Sequence, residues 1–280
     1  MSGGESSASV IDKTSTDPKD AILTVAHQHS LFKQRSLDTA QRHLETVKER
    51  GGEMRVCLLG DSMFERMSTT GQWETLEPFP SEPMLPQLDI DDPVSRARSR
   101  GVANFGCGGD KIENILFRVV GNKELALEGL TEKLHPSGDT QRPPRLWVIH
   151  AGTNNLKPKK GLDSKSLCAM ETLLCTLHHL TSPGTRFLLT GLFYRKDIRN
   201  ELVDEANKQL RELVIKLQDR STVDLFEVQP RTFEFLAPEL DWDTTTSLLD
   251  DHVHLNLEGY RIWMKKLQPK IEQMMGFSPP

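Results

Sequence analysis

Short runs that are apolar at nearly every position alternate along this chain with longer stretches whose apolar residues recur every three or four positions. The short runs are Met54 to Leu59 (MRVCLL), Val102 to Phe105, Arg145 to Ala151 (RLWVIHA), Arg186 to Phe193 (RFLLTGLF) and Val223 to Val228. Their length predicts strands, and their continuous apolar character predicts strands covered on both faces. The longer stretches, Lys111 to Val120, Leu167 to Leu180 and Asp197 to Leu217, predict helices. A final helix is expected from about Leu257 to Met275, kinked or split at Pro269, whose missing N–H removes a helical hydrogen bond. Ahead of the first strand, Pro18 to Lys48 carries Ile22, Val25, Leu37, Leu44 and Val47 at loose helical spacing. That spacing predicts one or two amphipathic helices, with His27, His29 and His43 on the solvated face.

Strands that alternate with helices imply right-handed crossovers and parallel pairing. The expected fold is α/β: a three-layer α/β/α sandwich around a mostly parallel five-stranded sheet. Residues 1–18 are Ser-, Thr-, Gly- and Lys-rich and are expected to be a disordered tail. Residues 19–50 form a helical extension, 51–275 the sheet-bearing domain and 276–280 a short tail. Pro78 to Arg100 breaks the alternation with five prolines and the acidic cluster Asp89, Asp91 and Asp92. A stretch of this length without periodicity reads as a surface insertion. Pro136 to Pro144 reads as a second, smaller loop.

Composition narrows the functional classes. With 35 basic and 40 acidic residues the formal charge is −5, so no cation excess is available for general nucleic-acid binding. No apolar run approaches the roughly 18–20 residues that span a bilayer. Met1 to Ser9 lacks the apolar core of an export signal. The four cysteines form no C-x-x-C pair. Cys57 sits in an apolar run and Cys168 and Cys175 on an apolar helix stripe, so buried, reduced thiols and a cytoplasmic location are expected.

Chemistry gathers where the predicted strands end, as it does in open parallel sheets. The first run is followed by Gly60-Asp61-Ser62, the second by Gly106-Cys107-Gly108-Gly109-Asp110 and the third by Gly152-Thr153-Asn154-Asn155. Asp251-His252-Val253-His254 precedes the last helix. Each has a bland reading: Ser62 as a helix cap, Gly108-Gly109 as a tight turn, Asn154-Asn155 as an Asx turn, a histidine as a structural residue. Together they carry more. A serine hydroxyl needs a base, and the base needs an orienting carboxylate. Three residues before His254 stands Asp251; three before His252 stands Leu249, which cannot orient an imidazole. The expected set is therefore Ser62 as nucleophile, His254 as base and Asp251 as its partner. The Ser62 N–H, the Gly109 N–H and the Asn154 amide are the candidate oxyanion donors. Asp61 reads as a turn residue. The Gly-rich NFGCGGD lacks the G-K-[ST] ending of a phosphate loop.

This set, in this order, resembles the SGNH (GDSL-type) hydrolase superfamily over about residues 54–275. The words GDSM (60–63), NFGCGGD (104–110), IENILFRV (112–119), GTNN (152–155) and HLNLEGY (254–260) resemble most the intracellular platelet-activating-factor acetylhydrolase catalytic subunits. The resemblance implies a flavodoxin-like fold, no metal or other cofactor, and cleavage of short acyl esters of small molecules or lipids. It also implies that Met63, Thr153 and Val253 wall the acyl pocket, and their side chains predict a preference for acetyl-like groups over long acyl chains. The subunits it resembles are dimers that associate with a WD-repeat protein, which makes a homodimer and such a partner expectations for this chain. The Pro78–Arg100 insertion, the N-terminal helices and the approach to the Asp251 turn depart from that pattern. Carbohydrate deacetylase, lysophospholipase and thioesterase readings share the same residues, and an idle partner-binding module is the alternative outside enzymology. A metal-dependent phosphoesterase using His252, His254, Asp250, Asp251 and Asp61 is weaker, because the third strand is followed by asparagines rather than His or Asp. Lys157-Pro158-Lys159-Lys160 reads as a solvated loop beside Asn154.

Overall fold

The computed structural model describes residues 17–50, 54–69, 102–135, 143–219, 233–238 and 240–276. The residues expected to form the N-terminal tail up to Thr16, the Pro78–Arg100 insertion, Val223 to Val228 and the last four residues lie outside this set.

Two helices, α1 (Pro18–His29) and α2 (Gln34–Arg50), precede β1 (Val56–Gly60) and α3 (Ser62–Thr69). β2 (Val102–Gly106), α4 (Ile112–Val120) and the short α5 (Leu130–Leu134) follow. Next come β3 (Leu146–His150), a 3₁₀ turn Thr153–Asn155 and α6 (Ser164–Leu180). The chain ends with β4 (Arg186–Thr190), α7 (Asn200–Asp219), β5 (Phe233–Leu236), α8 (Trp242–Ser247) and α9 (Leu257–Met275). The five strands form one sheet in the order β2-β1-β3-β4-β5, and every pairing is parallel. The order reverses between β1 and β3, where an open α/β sheet leaves a crevice at its carboxyl edge.

Alternation along each strand builds two cores. Cys57, Leu59, Ala103, Phe105, Trp147, Ile149, Phe187 and Leu189 face one layer with residues of α1, α4, α6 and α7. Val56, Leu58, Val102, Leu146, Val148 and Leu188 face the other with Met63, Phe64 and Met67 of α3 and the apolar face of α9. Phe64 and Trp263 stack there at 5.3 Å between ring centroids. α3 lies so close to the sheet that a Cβ at Gly106 would overlap the Glu65 backbone.

Several elements differ from the sequence expectation. The N-terminal pattern forms two helices, within the expected one or two, but His43 is not solvated. Its ring meets Phe105 edge-on at 5.2 Å, and burial, helped by Arg118 and Arg42, pushes its pKa down to about 3. Cys168 is exposed, beside His29, while Cys57, Cys107 and Cys175 are buried. The two α6 cysteines share one side of the helix, but only the later turn is covered. α9 runs through Pro269 unbroken. Leu267, Ile271 and Met274 are buried on both sides of it. At about 1.5–3 kcal/mol each, their burial exceeds the cost of about 3 kcal/mol for an interior proline. The fifth strand, Phe233–Leu236, is an edge where Glu234, paired with Arg186 at 2.8 Å and Lys270 at 2.5 Å, interrupts the apolar run.

One charged pair is fully buried beneath the carboxyl edge. Arg118 of α4 is 1% exposed and Asp110 0%. The guanidinium donates from Nε to Asp110 Oδ2 at 2.8 Å, from Nη1 to the Phe105 carbonyl at 3.0 Å and from Nη2 to the Gly60 carbonyl at 2.9 Å. It thereby satisfies carbonyls at the ends of β1 and β2. Ser36 Oγ donates to the other Asp110 oxygen at 2.5 Å. Removing one member of a buried pair leaves the other charge uncompensated. Arg118→Met is expected to cost about 3–5 kcal/mol in urea unfolding, and a loss under about 1 kcal/mol would show the pair to be dispensable.

Candidate active site

Ser62 opens α3 directly after β1. Asp61 Oδ1 accepts the Met63 N–H at 2.9 Å, so the capping role falls to Asp61 and leaves the Ser62 hydroxyl free for other partners. Asp61 is wholly buried, which raises its pKa to about 7 against the opposing Met63 hydrogen bond.

The Asp251–His254 turn reaches Ser62 from the other end of the domain. The turn is closed by an Asp250 N–H bond to the His254 carbonyl at 2.8 Å and by the Leu249–Leu255 bridge, whose two side chains are buried. Within it, Asp251 Oδ1 accepts the N–H groups of Val253 at 2.7 Å and His254 at 2.8 Å. Asp251 Oδ2 lies 2.7 Å from His254 Nδ1, and His254 Nε2 lies 2.9 Å from Ser62 Oγ. The three side chains thus form one hydrogen-bonded chain across 192 residues of sequence separation. His252 contributes its backbone carbonyl to the Lys196 N–H at 2.9 Å.

The electrostatics set the proton positions. Burial works to raise the Asp251 pKa, but hydrogen bonds from the His254 N–H, the His254 ring and the Val253 N–H outweigh it and hold the carboxylate well below its usual range. Burial lowers the His254 pKa; the bond to Asp251 opposes this, and Arg66 and His252 add to the lowering. Arg66, one turn along α3 from Ser62, sits 3.7 Å from Asp251 and 3.8 Å from Asp250. A neutral imidazole whose Nδ1 proton goes to Asp251 keeps its Nε2 lone pair toward the serine hydroxyl. This tautomer is assigned from the hydrogen-bond network.

The other sequence candidates lie at neighbouring strand ends. Cys107 to Asp110 is a tight turn closed by the Asp110 N–H on the Cys107 carbonyl at 3.1 Å, with Gly109 at φ +76°. A positive φ at the third turn position favours glycine. Asn154 lies in the 3₁₀ turn after β3 and spends one amide hydrogen on the Asp110 carbonyl at 2.9 Å. Met63, Thr153 and Val253 are all buried. The Met63 carbonyl accepts from the Tyr260 hydroxyl at 2.9 Å, and the Thr153 carbonyl from Arg195 Nη1 at 2.7 Å. Among the described residues no group of three or more His, Cys, Asp or Glu side chains is placed to hold a metal ion.

The sequence reading missed several supports. Asn155 accepts the Ile112 N–H at 3.0 Å and donates to Glu113 at 2.8 Å and Ser166 at 3.1 Å, tying the β3 turn to α4 and α6. Its signal was the second Asn of GTNN. Arg195, paired with Asp197, reaches the Thr153 turn from the loop after β4, and no local pattern marks it. Asn104 donates to the Phe64 carbonyl at 2.6 Å and accepts the Gly106 N–H at 2.9 Å, locking β2 to α3.

The model of the GDSL-like lipase/acylhydrolase family matches residues 58–262. No curated protein matches the chain. Solved structures share its fold. A Streptococcus pneumonia protein provisionally described as a platelet activating factor aligns at 16% identity and TM-score 0.53, over 85% of this chain and 93% of its own. A Bacteroides fragilis protein provisionally described as an acylhydrolase aligns at 14% identity and TM-score 0.52, over 83% and 95%. A family two carbohydrate esterase from Clostridium thermocellum aligns at 13% identity and TM-score 0.54, over 81% of this chain and 66% of its own. With the family model covering the span from β1 to α9, the chain belongs to the GDSL-like lipase/acylhydrolase family and is an ester-bond hydrolase.

Proposed function

We propose that this protein is a serine esterase that cleaves short-chain, acetyl-like carboxylic esters through an acyl-enzyme on Ser62. The observation that carries the reading is the continuous Ser62–His254–Asp251 hydrogen-bond chain at 2.9 and 2.7 Å. His254 Nε2 takes the Ser62 proton as the oxygen attacks the ester carbonyl. Asp251 accepts from Nδ1 and stabilises the imidazolium that forms. The backbone N–H groups of Ser62 and Gly109 and the second amide hydrogen of Asn154 receive the oxyanion. His254 then protonates the departing alcohol, activates water, and the acid is released.

Substrate class follows from the acyl side. Met63, Thr153 and Val253, as walls of a small pocket, favour acetyl over long chains, and the family words GDSM and NFGCGGD favour a platelet-activating-factor acetylhydrolase-like ester. Acetylated saccharides, the substrates of the carbohydrate deacetylase alternative, are the second class to assay.

Four measurements test this. Ser62→Ala is expected to lower kcat on p-nitrophenyl acetate at least about a thousandfold with folding intact by circular dichroism. Unchanged turnover would overturn the site. Across p-nitrophenyl esters of two to twelve carbons kcat/KM should fall steadily, and a rise would remove the small pocket. A parallel panel of an sn-2 acetyl phospholipid, an acetylated saccharide and an acyl thioester ranks the substrate classes. Finally, kcat/KM should climb with pH as His254 loses its proton. The midpoint should lie below the ordinary imidazole value of about 6.5, because its folded pKa is depressed. A midpoint above that value would contradict the assignment of His254 as the base.

A further inference from the structure

The segment joining α1 to α2 and the first turn of α2 meet the Gly109 turn at several points. Lys33 Nζ donates to the Gly109 carbonyl at 2.7 Å. Ser36 holds the Asp110 carboxylate at 2.5 Å, and Cys107 Sγ lies 3.9 Å from the Arg35 carbonyl. Arg35 pairs with Glu65 of α3 at 3.0 Å, and this pair sits so close to the turn that a Cβ at Gly108 would collide with it. The segment is itself anchored to α4. The Leu31 N–H donates to the Glu113 carbonyl at 3.0 Å, and Asn114 Nδ2 donates to the Leu31 carbonyl at 2.7 Å.

We propose that Lys33 is a positioning residue for acyl transfer, and that the α1–α2 segment is a working part of the active site rather than an appendage. The proposal rests on the reading of Gly109 as an oxyanion donor. Two adjacent glycines in a turn have no side chains to hold them, and glycine carries the largest backbone freedom of any residue. An oxyanion donor stabilises charge only if it is already in place when the charge forms. The turn therefore needs external clamps, and it has them on successive carbonyls. Lys33 holds the Gly109 carbonyl from one side and Asn154 holds the Asp110 carbonyl from the other. Ser36 and Arg118 fix the Asp110 side chain between them. Lys33 is half-buried and is the charged member of this set outside the buried Arg118–Asp110 pair, so its removal loosens the turn without leaving a buried charge unpaired.

The test compares wild type, Lys33→Met, Lys33→Arg and Ser62→Ala on p-nitrophenyl acetate, with a thermal melt of each. Lys33→Met should lower kcat by about 10- to 100-fold, the scale of a misplacement near 1 Å, with KM within twofold and the melting midpoint unmoved. Lys33→Arg, which still donates to the carbonyl, should recover most of the loss. An unchanged kcat in Lys33→Met, with Ser62→Ala inactive, overturns the positioning role and leaves the site reading standing. A fall in kcat that tracks a lower melting midpoint and is not recovered by arginine also overturns it, because the role is then structural. Wild-type turnover in Ser62→Ala overturns the site reading and this proposal with it.

Discussion

The carboxyl edge of the sheet depends on one buried guanidinium. A strand-end carbonyl keeps a second lone pair after its ladder bond, and a buried charge left without partners costs more than a neutral group. Arg118 meets the carbonyl of Gly60, which also accepts the Cys107 N–H at 3.0 Å, the carbonyl of Phe105 and the Asp110 carboxylate from a single rigid fork. A fork of fixed geometry also sets distances, so β1, β2 and the Gly109 turn are held to one frame. Ser62 begins where β1 ends, and the turn begins where β2 ends. Their separation is therefore a consequence of that buried ion pair as much as of the sheet.

A second constraint comes from the opposite layer. The Asp251–His254 turn is fastened by Leu249 and Leu255, which belong to the same apolar cluster as Met63, Phe64 and Trp263. The turn and the start of α3 thus rest on one packed surface. Cores at crystal-like density resist displacement, so a hydrogen bond spanning 192 residues is held by packing rather than by its own strength. The charges around it divide the work. Asp251 stays ionised because three donors converge on it, and His254 stays neutral because burial and the nearby Arg66 resist its protonation. That division is what the proposed role of His254 as base needs, a group that accepts a proton and then returns it.

The N-terminal helices change how this domain is bounded. Their periodicity marked them as amphipathic and nothing more, yet α1 supplies Ile22 and Ala26 to the main core, and the segment after it meets the Gly109 turn. An element that looks peripheral along the chain is part of the frame around the site. In the same way Asn155, marked only as the second Asn of GTNN, and Arg195, which no local pattern marks, brace the turn that carries Thr153 and Asn154.

The sequence alone determined what depends on near neighbours. Four of the five strands, the crossover helices, the parallel class of the sheet and the blocks at Ser62, Gly109, Asn154 and Asp251–His254 were readable, because apolar periodicity and three-residue spacings are local properties. Tertiary structure decided the rest. It placed an edge strand interrupted by Glu234 at Phe233–Leu236, carried α9 through Pro269, exposed Cys168 and buried much of His43. It also decided which side chains satisfy the buried carbonyls and carboxylates: Arg118, Asn155, Lys33 and Ser36. Those choices turn on which backbones approach within about 3 Å, a distance set by the packing of the whole body and by no stretch of chain within it.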